Sequence, residues 1–197
     1  MAMATAVLTV RPATAERILD AAYQRIGDIG LSRTTMDDVA REAGLTRQTI
    51  YRYFSSKDEL VRALLLREEE RLLDGVRAVF ESASDLTEAL AKSMVFGVGF
   101  AHEHAVLDRL LQTDAETSLP YVTTRAGAIV DRARDVLSSL IRRKAWVRPA
   151  LVEPVSDLLV RAFISYTLTP SSRSPEEVAR NLATIASAAL EKEGRRR

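Results

Sequence analysis

The chain has 197 residues, 47 % of them hydrophobic and 28 % charged, an ordinary globular balance that excludes a wholly disordered protein. Lys and Arg total 28 against 27 Asp and Glu, a formal charge of +1, so a nucleic-acid site would have to be local and not spread over the surface. There is no Cys, which excludes disulfides, thiolate zinc sites and a Cys nucleophile.

Helix is expected almost throughout, because Gly is scarce and Ala, Leu, Arg and Glu abound, and no run alternates apolar with polar residues. The opening MAMATAVLTV lacks a positive leader and reads as a flexible arm, not a signal peptide. The first helix is expected over Ala13–Ile29, with Ile18, Leu19, Ala22 and Ile26 on one face and Gly30 as its stop. A short helix over Thr35–Ala43 follows, opened by a capping pair of Thr35 and Asp38 and closed by Gly44. Thr46 caps the next short helix, which runs to about Phe54. A long helix then starts near Lys57 and reaches about Phe80. Its apolar stripe weakens around Arg67 and Arg71, and charges such as Glu68, Arg71, Glu70 and Asp74 predict a solvated middle. Further helices are expected over Leu86–His104, Ala105–Thr113, Leu119–Lys144, Leu151–Leu168 and Pro175–Glu193. Breaks fall near Pro120 and Val147–Pro149, and Pro154 is expected in a first turn, where Pro is tolerated. The longest stretch without Asp, Glu, Lys or Arg is Ala162–Ser172, 11 residues, well short of the roughly 20 that a membrane-spanning helix needs. A cytoplasmic protein with no membrane partner is the expectation.

The chemistry concentrates between Thr35 and Lys57. Two short helices joined at Ala43-Gly44-Leu45 have the layout of a helix-turn-helix, whose second helix can enter the major groove of DNA. With Ile50 facing inward, 100° per residue puts Phe54 about 40° away and packs it alongside. Gln48 and Arg52 lie about 160° away and point outward, with Thr49 and Tyr51 at about 100°. Arg47 and Tyr53, at about 60°, reach DNA only from the helix ends. Arg can pair with guanine and Gln with adenine, while hydroxyls bind phosphate or bases. From Ala43 to Lys57 there are three cations, Arg47, Arg52 and Lys57, and no acid. The bland alternatives are that Tyr51 and Tyr53 are surface aromatics and Lys57 a solvated first-turn residue. A Lys at a helix N-terminus opposes the helix dipole, so a phosphate partner is the more economical explanation of Lys57.

The run TTMDDVAREAGLTRQTIYRYFSSKDEL, Thr34–Leu60, closely resembles the DNA-binding signature of the TetR-type (TetR/AcrR) transcriptional regulators. The resemblance rests on Thr35, Val39-Ala40, Ala43-Gly44, Thr49-Ile50-Tyr51, Phe54 and Ser56-Lys57 leading to Leu60, and covers residues 14–66. It implies an all-α protein with a three-helix DNA-binding head in residues 1–56 and a helical effector-binding and dimerisation body in 57–197. It further implies phosphate contacts at Thr35, Tyr53 and Lys57, and groove contacts at Thr46, Arg47, Gln48, Tyr51 and Arg52. The family commonly has Gly or Ala where this chain has Gln48, so its operator is not inherited from the resemblance.

In the body, Met94, Phe96, Phe100, Tyr121, Trp146 and Tyr166, among the small residues Gly97, Gly99, Gly127 and Ala128, are the candidate lining of an apolar effector pocket. Two apolar stripes suit a dimer face: Leu151, Val155, Leu158, Leu159, Ala162 and Phe163, and Val178, Leu182, Ile185, Ala186, Ala189 and Leu190. His102 and His104 have i, i+2 spacing, unlike a helical zinc pair, so no metal site is expected. No phosphate-binding Gly loop and no GxSxG motif occur, so neither catalysis nor a cofactor is expected. The expectation is a homodimeric, sequence-specific DNA-binding regulator, a repressor released from a near-palindromic operator by a small apolar or amphipathic ligand. The alternative is a ligand-independent regulator, or an activator, controlled by a protein partner.

Overall fold

The computed structural model describes residues 12–104, 106, 115–169 and 171–191. Nine helices lie among them, and the pairing between Val147 and Glu191 is an isolated bridge. The chain divides into two compact units, the first ending at Leu64 and the second beginning at Leu65.

In the first unit α1 (Ala13–Ile29) buries Ile18, Leu19, Ala22 and Ile26, the face that helical spacing selects. Gly30 stops it with φ 86°, a conformation costly for any residue with a Cβ, and donates its N–H to the Ile26 carbonyl. The buried Thr34 hydroxyl returns to the Gly30 carbonyl at 2.7 Å. Helix α2 (Met36–Ala43) opens with the expected capping box: Asp38 N–H donates to Thr35 Oγ1 at 3.1 Å, and Thr35 N–H to Asp38 Oδ2 at 3.0 Å. The Thr35 hydroxyl, donating to Asp38 Oδ2 at 2.6 Å, and the Thr35 N–H hold the Asp38 carboxyl below the usual aspartate range. Gly44 ends α2 in the left-handed conformation (φ 59°, ψ 38°), and the Leu45 N–H reaches back to the Ala40 carbonyl at 2.9 Å. That turn leads into α3 (Arg47–Tyr53), and α1 packs on α2 and α2 on α3. The first turns of α4 (Lys57–Ser82) belong to this unit. Leu60 and Val61 meet Ile26, Met36 and Val39 around a void of only about 10 Å³, which leaves no room for a ligand.

The second unit takes the rest of α4, then α5 (Leu86–Glu103), α6 (Ala115–Val122), α7 (Gly127–Lys144), α8 (Pro149–Leu168) and α9 (Pro175–Leu190). Helix α5 packs on α9, α7 on α8, and α8 against both α5 and α9. The shared core includes Phe80, Leu90, Leu140, Ile141, Val152 and Leu190. Ser84 and Lys92 hydrogen-bond Glu88 at the start of α5 and, with Lys92 the larger influence, pull its carboxyl down to about 2.

Several sequence expectations shift. Helix α4 runs two residues past Phe80. The helix expected over Leu119–Lys144 is two helices, α6 and α7. Pro120 lies inside α6, and the break follows it: Thr123 Oγ1 donates to the Leu119 carbonyl at 2.6 Å and Arg125 N–H to the Pro120 carbonyl at 2.7 Å. Those bonds close the turn that the helix ladder would have continued. Helix α8 begins at Pro149, not Leu151, because a Pro with no N–H and a fixed φ suits the first helical position. Pro154 consequently lies inside α8, beyond its first turn. The helix expected over Ala105–Thr113 falls, apart from Val106, outside the described residues. The middle of α4, expected to be solvated, instead buries Arg67, Glu68 and Glu69 at 5–7 % exposure. No helix among the described residues is long and apolar enough to cross a membrane.

Candidate nucleic-acid interface and effector cavity

Helix α3 is short, and its orientation is set at both ends. Thr46 Oγ1 caps it by accepting the Thr49 N–H at 3.2 Å, and Ile50 and Phe54 are buried. That burial turns the opposite face outward, so Gln48, Tyr51 and Arg52 are exposed. Arg47, nearer the inward side by angle alone, is also exposed because it occupies the first position of the helix. Thr46 and Thr35 are exposed, and Thr49 and Tyr53 half-buried. The Arg47 guanidinium lies 5.4 Å from the Tyr51 ring centre and 3.0 Å from Asp37. An exposed pair of this kind contributes about 0–1 kcal/mol, little enough for a phosphate or base to displace it. Arg52 lies 5.4 Å from the Tyr53 ring centre. Lys57 Nζ donates to the Leu31 carbonyl at 2.5 Å, a partner within the protein where the sequence reading expected a phosphate.

The second unit contains a partly open cavity of about 120 Å³. Its wall is apolar, with Leu72 and Val76 from α4, Met94 and Gly97 from α5, Ala133 from α7 and Phe163 from α8. Of the six residues expected to line an effector pocket, Met94 lies in this wall. Phe96, Phe100, Tyr121, Trp146 and Tyr166 are absent from this wall. Phe96 instead covers Gly75, where an added Cβ would come within 2.2 Å of its ring, and pairs with Phe100 at 6.2 Å. Phe100 in turn lies 5.4 Å from the His104 ring. Tyr121 lies under Arg125, Tyr166 is half-buried, and Trp146 is 79 % exposed just before α8. Aromaticity alone could not separate wall, core and surface.

Two polar groups in the wall, Glu69 and Ser93, were not singled out by the sequence. Both carboxylate oxygens of Glu69 and the Ser93 hydroxyl are buried without a hydrogen-bond partner. Burial pushes the Glu69 carboxyl up to about 7, a rise opposed by the Arg132 charge and helped by Glu70. Its neighbour Glu68 behaves oppositely. Burial would raise it too, but the His104 bond at 3.1 Å and the Arg67 and Arg71 charges hold it below the usual range. Neighbouring helix positions face about 100° apart, so adjacent glutamates meet different surroundings. Charged letters in one helical window read as solvated, and only packing reveals the buried pair. Among the described residues no cluster of three or more His, Cys, Asp and Glu could hold a metal.

A capped helix pair with an outward face of Arg, Gln and Tyr is the geometry of a helix-turn-helix DNA reader. Comparison with known proteins agrees. The family described as "Bacterial regulatory proteins, tetR family" matches residues 18–64, and "Bacterial Tetracyclin repressor, C-terminal domain" matches residues 85–188. The HTH-type transcriptional regulator AlkX of Mycobacterium tuberculosis is 31 % identical over 184 residues, spanning 91 % of this chain and 86 % of that protein. The HTH-type transcriptional regulator TtgR of Pseudomonas putida is 46 % identical over 52 residues, 26 % of this chain and 25 % of that one. The fold is shared with the TetR family repressor AlkX from Dietzia, implicated in biodegradation of n-alkanes: TM-score 0.72, 24 % identity, 89 % of this chain and 94 % of that one. It is shared also with the regulator FadR from Bacillus subtilis in complex with stearoyl-CoA: TM-score 0.63, 14 % identity, 89 % of this chain and 99 % of that one. The chain belongs to the TetR family of helix-turn-helix transcriptional regulators.

Proposed function

We propose that this regulator is a cytoplasmic homodimeric repressor, released from a near-palindromic operator by a small apolar molecule that enters the cavity of the second unit. The apolar cavity carries this reading, since a head that only bound DNA would need no such space. A relative implicated in alkane biodegradation and another holding stearoyl-CoA support an apolar effector. Helix α4 begins in the first unit and supplies Leu72 and Val76 to the cavity wall, so occupancy can bias the setting of the heads. To induce, the effector must bind the arrangement that misfits the operator better than the one that fits. A coupling of roughly 1–3 kcal/mol lowers operator affinity about 5–150-fold, and the operator weakens effector binding by the same factor.

Residues split by role. Thr46, Arg47, Gln48, Thr49, Tyr51 and Arg52 face the groove, and Thr35, Tyr53 and Lys57 hold phosphates. For the dimer, both apolar stripes divide. Leu159, Val178, Ala186 and Leu190 are buried within the chain, while Leu158 and Ile185 are 61 % and 65 % exposed and offer the contact. The test begins with an operator selected from random duplex DNA. Arg52→Ala is expected to lose about 1–3 kcal/mol on it at fixed salt and to relax preference at one base pair. Unchanged affinity removes Arg52 from the groove. Sedimentation showing only a 21.8 kDa species at micromolar concentration overturns the dimer. A second reading, activation, is favoured by the FasR relative of Mycolicibacterium smegmatis, named a transcriptional activator and 28 % identical over 127 residues. A reporter that falls on deletion of the gene would establish activation instead.

A further inference from the structure

An unpartnered buried carboxyl is costly, and nothing in the core requires one at Glu69. Its exposure is 7 %, both oxygens lack a partner, and it belongs to the cavity wall, as does Ser93, whose hydroxyl is also unpartnered. We infer that Glu69 is the recognition group for the effector, and that the effector is a compact, uncharged, apolar molecule carrying one hydroxyl, an alcohol or a phenol. The inference rests on the cavity's being the effector site.

Three constraints lead to that chemistry. The first is size. A protein cavity of roughly 150 Å³ admits benzene, so about 120 Å³ suits a body no larger than about one six-membered ring. The second is the wall. Apart from Glu69 and Ser93 the wall is apolar, so a ligand that fills it must itself be mostly apolar. The third is the donor and acceptor pattern. A protonated carboxyl offers one donor and an acceptor, whereas an ionised one only accepts. A hydroxyl both donates and accepts, so it complements Glu69 in either state. A ligand carboxylate only accepts, and would meet like charge whenever Glu69 is ionised. A ligand ammonium only donates, and would bring a second charge into an apolar space. The nearby cation, Arg132 on α7, is committed to Glu70 at 3.1 Å and does not line the cavity, so it offers an anionic head no berth there.

The experiment titrates the full chain with benzene, phenol and benzoate by calorimetry, in the wild type, Glu69→Leu and Glu69→Gln. Phenol is expected to bind the wild type, with benzoate at least about tenfold weaker. The affinity ratio of phenol to benzene is expected to fall about tenfold in Glu69→Leu, the loss of one strong hydrogen bond. Glu69→Gln, which keeps a donor and an acceptor, is expected to hold the wild-type ratio. Leu replaces an unpartnered polar group by an apolar one, so that variant should fold, and the Gln variant checks the result with little change of shape. An unchanged ratio in Glu69→Leu, or benzoate binding as well as phenol, overturns this inference while leaving the cavity as an effector site. Loss of the ratio in Glu69→Gln overturns it too, because charge and not hydrogen bonding would then be the determinant. If none of the three probes binds, the effector reading of the cavity falls with it.

Discussion

In the first unit the buried Thr34 hydroxyl is bonded to the Gly30 carbonyl, Thr35 and Asp38 exchange a reciprocal pair of bonds, and the space beside Ile26 and Val39 is about 10 Å³. In the second, the buried oxygens of Glu69, Ser93, Ser138, Ser156, Thr167 and Ser187 have no partner, and a cavity of about 120 Å³ stays open. One chain therefore holds two kinds of interior. A DNA-reading surface depends on side chains held within fractions of an ångström, and full packing with satisfied caps supplies that rigidity. A ligand site needs the reverse, space and polar groups that wait for a partner. Packing defects are costly, and among the described residues they concentrate in the second unit.

The comparison can be broken most sharply in the first unit. Ile50 is fully buried, and Ile50→Ala should lose about 2–5 kcal/mol and with it operator binding. A loss well under 1 kcal/mol by urea unfolding would mean that the head is more loosely packed than the second unit.

Glu69→Gln probes the opposite case. The folded carboxyl titrates at about 7 against an ordinary value of 4.5, so the wild type is the more stable below about pH 4.5 and loses that advantage as pH rises to about 7. The neutral variant lacks this slope. It should exceed the wild type at pH 8 by on the order of 2–3 kcal/mol, and by progressively less toward pH 4.5, in urea unfolding at each pH. Parallel pH curves for the two proteins would remove Glu69 from the apolar interior.

Ala133→Leu puts new atoms into the cavity. It should raise stability by about 0.5–2 kcal/mol while abolishing benzene uptake, read by thermal unfolding and calorimetry. Undiminished uptake would place the ligand space elsewhere. The smallest effect is expected at the cap: Thr35→Ala should lose about 1 kcal/mol of stability and leave ligand affinity untouched. A change in ligand affinity at Thr35→Ala would show that the two interiors are not independent.

Much of the first unit is legible in the sequence because its determinants are local. Gly30 and Gly44 end helices through backbone conformations that need no distant partner, and Thr35, Asp38 and Thr46 cap helices within four residues of themselves. Once Ile50 is placed inward, the 100° step of the helix turns Gln48 and Arg52 outward, and the structure exposes both. The second unit resists such reading. Trp146 reads as pocket lining and is exposed, while Glu69 lies in a stretch that reads as solvated and lines a cavity. Helix periodicity says which residues share a face, not which helix covers that face. The wall of the cavity joins α4, α5, α7 and α8, so no single window of sequence contains it. The sequence by itself determined the helices of the head and the direction in which its recognition residues point, because hydrogen bonds and spacing a few residues long decide them. Which carboxyl is paired and which is buried without a partner is set by tertiary packing, because that depends on contacts between residues tens of positions apart, as between Glu68 and His104.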